Sequence, residues 1–505
     1  MSLKNTILTL AYRNIIGASD KSKLSPLEAQ DKILKSMLHS GSDSSFGKEH
    51  NFGKINSYSD FAKNIPIRDY NMFEPYINRL KSGENYVLWN QKVFWYAKSS
   101  GTSQGKSKFI PMTKDNIYKC HIKGFQTMLG SYLQSYPDSN LFSGNSVTLG
   151  GSVNFDSNYN YQTGDLSAIL LKNSPKITNI VRLPSLETAL IANFEEKIEK
   201  ICKECSHRNI TNFAGVPSWN LMMINKLLEY NNVKYLTDIW PNLELFVHGG
   251  VSFDPYKDIY RSLIPKDNMR YLENYNASEG YFAYQDDLSD GSMLLCTNNQ
   301  VYYEFVPLAS LEQALMGDSS VVCNIEGVKQ NINYALIIST NSGLWRYIIG
   351  DCIEFTSTNP YKIKIVGRTQ LYINAFGEEL MVHTAEKALA NTCRATGLRA
   401  TEYTVAPIFM TEHENGGHQW LIEFEQENPS DEMVERFADI LDEEICQKNS
   451  DYEAKRKGTK TLNRLIITPL KKGTFYNWMK DAGKLGGQNK IPRLYNTRKY
   501  IDSIL

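Results

Sequence analysis

Strand-like runs alternate with helical ones through the first two thirds of this chain, and that alternation narrows the fold more than any other feature. Val93–Lys98 reads as a strand, followed by a polar loop and a helix from about Lys114 to Leu133. Ser146–Gly150 predicts a strand and Phe194–Cys205 a helix. Ile210–Ala214 predicts a strand, Leu221–Tyr230 a helix, and Leu243–Val247 a strand that stops at Gly249-Gly250. Such alternation builds sheets covered by helices. From Gly280 to Glu354 strands and turns dominate, as in a β-rich subdomain. After Gly367-Arg368 the pattern changes: Glu378–Thr396 is a helix, Gln419–Phe424 a strand, Ser430–Gln447 an acidic helix and Leu462–Thr468 a strand. The expected fold is α/β. A large N-terminal domain, 1–370, has helix-covered sheets and a β-rich subdomain. A small mobile α+β C-terminal domain, 371–505, follows a hinge near 367–374.

Composition enters as a set of exclusions. Lys plus Arg is 55 and Asp plus Glu is 55, so the net charge is zero and a wholly basic nucleic-acid binder is excluded. No apolar run reaches the roughly 18 residues of a membrane span. Met1–Asn14 has no small-residue cleavage site and reads as a helix, so the expected compartment is the cytoplasm. Eight scattered cysteines suit reduced thiols better than a disulfide framework. Cys202 and Cys205 form a CxxC before His207, but no second ligand pair stands at zinc spacing. Phe194, Ile198, Ile201, Cys202 and Cys205 recur at helical spacing, which turns both thiols to the core.

The strongest local signal is Ser99-Ser100-Gly101-Thr102-Ser103-Gln104-Gly105-Lys106-Ser107-Lys108. Small residues let backbone N–H groups approach a phosphate, hydroxyls add donors, and lysine adds a point charge. Walker A requires G-x-x-x-x-G-K-[ST]. Gly105-Lys106-Ser107 fits its end, but Gly101 stands one position too late for its first glycine. A plain Ser/Gly surface loop is the bland alternative.

Further segments carry a resemblance to a family. The loop resembles the Ser/Thr-Ser-Gly-Thr-x-Gly-x-x-Lys phosphate loop of adenylate-forming enzymes, with Gly105 the second glycine and Lys108 the lysine. Tyr275-Asn276-Ala277-Ser278-Glu279 resembles their Tyr-x-x-Ser/Thr-Glu, and Trp345-Arg346-Tyr347-Ile348-Ile349-Gly350-Asp351 their Tyr-Arg-x-x-Gly-Asp. Gly367-Arg368 resembles the Gly-Arg that opens the hinge, although Gln370 stands where many members have Asp or Lys. Tyr303-Glu304-Phe305-Val306-Pro307, Gly473-Thr474-Phe475 and Gly487-Gln488-Asn489-Lys490-Ile491-Pro492-Arg493 resemble one branch, the plant auxin-responsive (Gretchen Hagen) family of acyl acid amido synthetases. The motifs run in order from Phe94 to Arg493.

The resemblance implies ATP-dependent activation of a small carboxylic acid as an acyl-adenylate, then transfer to an amine, in first place an amino acid. ATP and Mg²⁺ are the implied cofactors. Ser99, Ser100, Gly101, Thr102, Ser103, Gly105 and Lys108 would hold the phosphates. Glu279 would ligate Mg²⁺ through a hard oxygen, and Ser278 would bring a hydroxyl near the phosphate. Asp351 would accept from the ribose hydroxyls. Gly249 and Gly250 would lie along the adenine plane, with Tyr275 and Asn276 on the same nucleotide face and Arg368 near it. Lys490 would carry charge to the acyl and phosphate oxygens during adenylation. Gly215-Val216-Pro217-Ser218-Trp219 and the helix Ile117–Tyr132 are candidates for the acyl pocket, Val216 and Trp219 first among them. His248 is a weak candidate base for the amine.

Two other readings stay open. An acyl-CoA ligase shares the first half-reaction and differs in accepting a thiol. A non-catalytic nucleotide sensor would keep the phosphate loop and Asp351 but need not keep Lys490 or Glu279. The expected partners are small molecules, with no nucleic acid and no membrane, and the chain would act as a monomer or homodimer. From Ala454 to Leu505 there are 13 basic residues and two acids, a surplus of 11 that the rest of the chain cancels. That tail is expected to bring Lys490 toward ATP, with the acidic helix near Asp431–Glu444 as its local partner.

Overall fold

The computed structural model describes residues 3–99, 108–156, 161–254, 256–369, 372–373, 378, 380–409, 415–458, 462–485, 490–495 and 497–505. The chain divides into two compact units, Met1–Val251 with Leu263–Lys364, and Ser252–Ser262 with Ile365–Leu505. No composition shift in the sequence marks 252–262 as part of the second unit.

The first unit is α/β. A sheet of 12 strands runs through it. Five neighbours are parallel, in the order Arg182–Leu183, Asn145–Thr148, Ile210–Gly215, Leu245–Gly249 and Arg270–Ala277. The helices Phe194–Cys205 and Pro217–Asn231 are crossovers between them. The sheet then turns antiparallel at Gly280–Tyr284 and continues through Met293–Leu295, Tyr361–Arg368, Tyr347–Thr358, Asn333–Thr340, Val301–Pro307 and Cys323–Asn324. Leu245–His248 and Gly280–Tyr284 are buried at every position, which is why these strands read as unbroken apolar runs.

Local chemistry sets the element ends. Asn193 Oδ1 accepts the Glu196 N–H at 2.9 Å and caps the Phe194–Cys205 helix, whose first turn carries Glu195 and Glu196. That helix buries Phe194, Ile198, Ile201, Cys202 and Cys205. Both thiols are free, and burial pushes Cys205 up to about 12. Among the described residues no group of three or more His, Cys, Asp and Glu gathers to hold a metal. No described helix is long and apolar enough to cross a membrane.

The expected helix from Lys114 begins as a wide π-type turn at Asn116–Ile122 and becomes α-helical over Lys123–Ser135. Between the Ser/Gly loop and that helix stands a strand, Lys108–Met112, that the sequence reading missed. It is short and contains Pro111, which masks its strand pattern.

The second unit is α+β. Ala400–Ile408 pairs antiparallel with Gly417–Phe424, and Ile466–Leu470 lies parallel beside the latter. Helices Val382–Thr396 and Asp431–Lys448 contribute Leu389, Phe437 and Leu441 to a core that also holds Tyr403 and Trp420. Ser430 caps the second helix through the Met433 N–H. The first helix starts at Val382 rather than Glu378. Glu378 is fully buried before it, and its Oε1 lies 2.9 Å from His418 Nε2.

Candidate active site

Parallel strands end on one edge, and ligands of open α/β sheets bind beyond their carboxyl ends. The carboxyl ends here are Thr148, Gly215, Gly249 and Ala277. Several candidate residues fall there. Gly249 closes its strand opposite Asn274. A Cβ on Gly249 would stand 2.3 Å from the Asn274 carbonyl oxygen, so only glycine allows that approach. Gly250 follows with φ +84°, a left-handed conformation that glycine adopts without strain. Asn274 Nδ2 donates to the His248 carbonyl at 2.9 Å and ties the two strand ends together. Tyr275 and Asn276 lie on the next strand. Ser278 and Glu279 form the two-residue turn between Ala277 and Gly280, and both are buried.

Asp351 arrives at the same segment from another strand. Ala335 pairs with Cys352 and Ile337 with Ile348, so Ile349–Asp351 bulge opposite Leu336 alone. Gly350, φ +92°, permits the bulge, and bulges re-aim side chains. The Tyr275 hydroxyl donates to the Asp351 carboxylate. Two motifs 76 residues apart are thus joined side chain to side chain.

Trp345 and Arg346 of the same motif have a different task. Arg346 has φ +48° and is 2% exposed; its partner Glu304 is 1% exposed. Nε of Arg346 donates to both carboxylate oxygens of Glu304, and Nη1 donates to the carbonyls of Ala62 at 2.7 Å and Ile65 at 2.6 Å. Trp345 packs edge-on against Phe52 with centroids 4.6 Å apart. Two segments that sequence comparison treats as separate motifs, 303–307 and 345–351, therefore meet in a buried ion pair that fastens N-terminal helices to the sheet.

The Ser/Gly loop joins a β-hairpin. Trp95–Ser99 pairs antiparallel with Lys108–Met112, and Ser99 stands directly opposite Lys108. Ser100, Gly101, Thr102, Ser103 and Gly105 lie outside the described residues. The Lys108 ammonium sits 5.8 Å from the centre of the Tyr70 ring, and the Tyr70 hydroxyl accepts the Phe109 N–H at 2.8 Å. Lys108 is thus a strand residue at the loop's foot.

Val216 precedes the Pro217–Asn231 helix, just past the carboxyl end of its strand. Trp219 is in the first turn, with its ring 5.1 Å from Phe194. That contact packs one crossover helix on the other and commits much of the Trp219 ring to the core. His248 is 3% exposed within its strand.

The remaining candidates lie in the second unit. Arg368 ends its strand next to Gly367. Lys490 is half-buried, and Gly487, Gln488 and Asn489 before it lie outside the described residues. The chain just beyond Lys490 is held firmly. Thr404 Oγ1 donates to the Pro492 carbonyl, Val405 N–H to the Arg493 carbonyl, and Tyr495 N–H to the Val405 carbonyl. Arg493 donates to Glu402 at 2.5 Å and to the Tyr256 hydroxyl at 2.5 Å, and its guanidinium lies 4.7 Å from the Tyr403 ring centre. The Tyr256 contact draws 252–262 into this unit. Part of the tail's positive surplus is spent locally: Arg456 pairs with Asp442, Lys457 with Glu443, and Arg464 with Glu435 and Asp439.

Comparison with known proteins bears on the family and the fold. Sequence profiles of the GH3 family match in chain order: its N-terminal domain over 17–269, its central domain over 294–368 and its C-terminal domain over 383–499. An Arabidopsis thaliana indole-3-acetic acid-amido synthetase, GH3.4, is 22% identical, over 95% of this chain and 91% of that protein. The 4-substituted benzoates-glutamate ligase GH3.12 of Arabidopsis thaliana is 24% identical, over 87% of this chain and 88% of its own. Among solved structures, the GH3.15 acyl acid amido synthetase superposes with a TM-score of 0.77 at 17% identity, covering 95% of this chain and 93% of that one. A 2-hydroxyisobutyryl-CoA ligase holding 2-HIB-AMP superposes at 0.58 and 12% identity, covering 96% and 91%. With all three domains matched in order, the chain belongs to the GH3 family.

Proposed function

We propose that this chain condenses a small carboxylic acid with an amine, in first place an amino acid, at the expense of ATP. In the first step a carboxylate oxygen of the acid attacks the α-phosphorus. The bond from that phosphorus to its bridging oxygen breaks, and pyrophosphate leaves from an acyl-adenylate. In the second step the amine attacks the acyl carbon. A C–N bond forms, the acyl–phosphate C–O bond breaks, and AMP and a proton depart. The observation that carries the reading is the Tyr275–Asp351 hydrogen bond at the carboxyl edge of the sheet. It holds a carboxylate where ribose hydroxyls would donate to it.

The roles follow from chemistry. Gly249 and Gly250 leave a flat face for adenine, with Tyr275 and Asn276 beside it. Ser99 and Lys108 frame the segment containing Ser100, Gly101, Thr102, Ser103 and Gly105 for the phosphates, with Ser278 contributing a hydroxyl. Glu279 offers one hard oxygen, and the nucleotide phosphates would complete the set. One carboxylate plus phosphates suits Mg²⁺, which keeps several waters. That ion would neutralise phosphate charge. Lys490 counters the repulsion between the two anions as they meet. Arg368 serves the hinge or the nucleotide face, and Val216 with the exposed part of Trp219 borders the acid.

The test is an ATP-dependent hydroxamate screen across many carboxylic acids, followed by product mass with amino acids and with coenzyme A. The expected result is hydroxamate with a few acids, an amide with an amino acid, and loss of acid-dependent pyrophosphate exchange in a folded Lys490→Ala variant. A wild-type protein inactive across the panel would defeat the proposal. A thioester with no amide would move it to the ligase reading.

A further inference from the structure

The helical segment after Lys108–Met112 docks along the Arg270–Tyr284 hairpin at four points. Asn116 Nδ2 donates to the Glu279 carbonyl at 3.4 Å and to Asn341 Oδ1 at 3.1 Å. The Cys120 sulfur accepts the Tyr281 N–H at 3.4 Å. Gly124 lies so close that a Cβ would stand 2.5 Å from the Tyr281 ring. Between these anchors, His121 Nδ1 lies 2.8 Å from Asn276 Oδ1. His121 has no exposed surface, and its Nε2 has no hydrogen-bond partner among the described residues.

That orphan decides two questions at once. An amide oxygen only accepts, so Nδ1 facing Oδ1 must carry the proton. Nε2 then holds a bare lone pair. The opposite arrangement turns the amide, lets Nδ2 donate to Nδ1, and leaves an unpaired N–H at Nε2 in the interior. Buried orphan N–H groups are rarer than under-satisfied acceptors. A protonated ring would add the same orphan donor, and burial pushes His121 down to about 4. The ring is therefore neutral, with its proton on Nδ1, and Asn276 has its oxygen turned inward. The Asn276 nitrogen makes no hydrogen bond among the described residues, and the side chain is half-buried beside Tyr275.

We infer that His121 is a positioning residue that fixes which end of the Asn276 amide faces the nucleotide, and so sets the preference for adenine. The inference rests on the nucleotide reading of 275–279. An outward N–H pair meets a ring nitrogen lone pair of adenine. Guanine carries a proton on its N1, which would set donor against donor. Without a donor at 121 the amide is free to turn, and its oxygen then accepts from guanine.

The experiment is acid-dependent pyrophosphate exchange with ATP and with GTP. It uses wild type, His121→Leu, His121→Gln and Asn276→Ala. Glutamine restores a donor to Asn276 Oδ1. His121→Leu is expected to raise the KM for ATP and cut the ATP-to-GTP ratio of kcat/KM, each about tenfold, the scale of one lost hydrogen bond. The KM for the acid should stay within about twofold, since no contact to the acid changes. His121→Gln should recover most of the ratio. Asn276→Ala should lose it even if His121→Leu fails to fold. An unchanged ratio in Asn276→Ala overturns the inference. So does an equal loss in His121→Gln, which would mean packing alone, or a shift in the acid KM instead. No exchange in the wild type with any acid would instead strike the nucleotide reading beneath it.

Discussion

Replacing Arg346 separates a structural motif from a catalytic one. Its guanidinium is nearly sealed from water and makes four donations, two to Glu304 and two to the Ala62 and Ile65 carbonyls. Arg346→Met strands a carboxylate and two carbonyls. Breaking a buried pair from one side costs about 3–5 kcal/mol. Domains of ordinary size lose ~2–4 °C per kcal/mol, and less as they grow, so a fall of about 5 °C is expected for the first unit. Differential scanning calorimetry reads it. In Glu304→Met/Arg346→Met the stranded charge is gone, and the two carbonyls and the Tyr58 hydroxyl remain unpaired. The double variant should fall short of the sum of the singles by ~1–3 kcal/mol.

The pH dependence gives a second arm. Burial already pushes the Glu304 carboxyl up, and Arg346 pulls it back. In Arg346→Met burial still pushes it up and only the Tyr58 hydroxyl still pulls it back, so the folded state takes up a proton that the unfolded chain does not bind. Stability is then lost as pH rises through that raised value. The defect must grow as pH rises above the ordinary carboxylate range. Pyrophosphate exchange per folded molecule should stay within about threefold of wild type, the range left when no substrate contact is removed. A melting change below about 1 kcal/mol, or a defect that grows as pH falls, would refute the buried-pair account. Normal melting with lost exchange would assign Arg346 to the chemistry instead.

Three further outcomes are expected. Gly249→Ala must push the Asn274 carbonyl away and part the two strand ends, so the KM for ATP should rise roughly tenfold or more while melting changes little; an unaffected KM would remove Gly249 from the nucleotide face. Tyr275→Phe takes the hydroxyl donor from Asp351 and should raise the KM for ATP about tenfold, the worth of a hydrogen bond to a charged group, without changing the acid's; an equal rise in both would point to general disorder at the strand. Cys120 and Cys205 are both pushed up to about 12 by burial, so native protein at pH 8 should resist iodoacetamide at both sites while urea exposes them. Peptide mass after alkylation decides, and fast native labelling of Cys205 would reopen the CxxC question.

Local pattern carried the sequence reading wherever the determinant was local. The Phe194–Cys205 helix matches its expected span because cap, acidic first turn and apolar face all lie within its own residues. The glycines at 249 and 250 were legible as a strand end, and their carboxyl-edge position follows from parallel pairing alone. The hidden part was relational. Nothing in Trp345-Arg346 announces Glu304, because the pair forms only when two strands on either side of Asn333–Thr340 come together. Lys108 read as part of a loop because Pro111 obscured the strand that carries it. Ser252–Ser262 gave no sign of its allegiance, which shows in the Tyr256 hydroxyl shared by Glu402 and Arg493 and in the Arg399 donation to Ser262.

The same contrast explains how the family's motifs are to be read. A motif marks residues that are spaced alike, and spacing does not say which of them meets the ligand. In 345–351 the backbone bends at Arg346 and again at Gly350, both at positive φ. The first bend sends its side chain inward to Glu304, and the second delivers Asp351 to Tyr275. In 275–279 strand alternation divides the work likewise, with Tyr275 turned to Asp351 and Asn276 to His121. In 345–351 Arg346 builds the frame, while the nucleotide roles proposed above fall on Asp351 and on 275–279. Substitutions at Arg346 should therefore move melting, those at Asp351 and Tyr275 should move nucleotide binding, and Asn276 should move the choice of base.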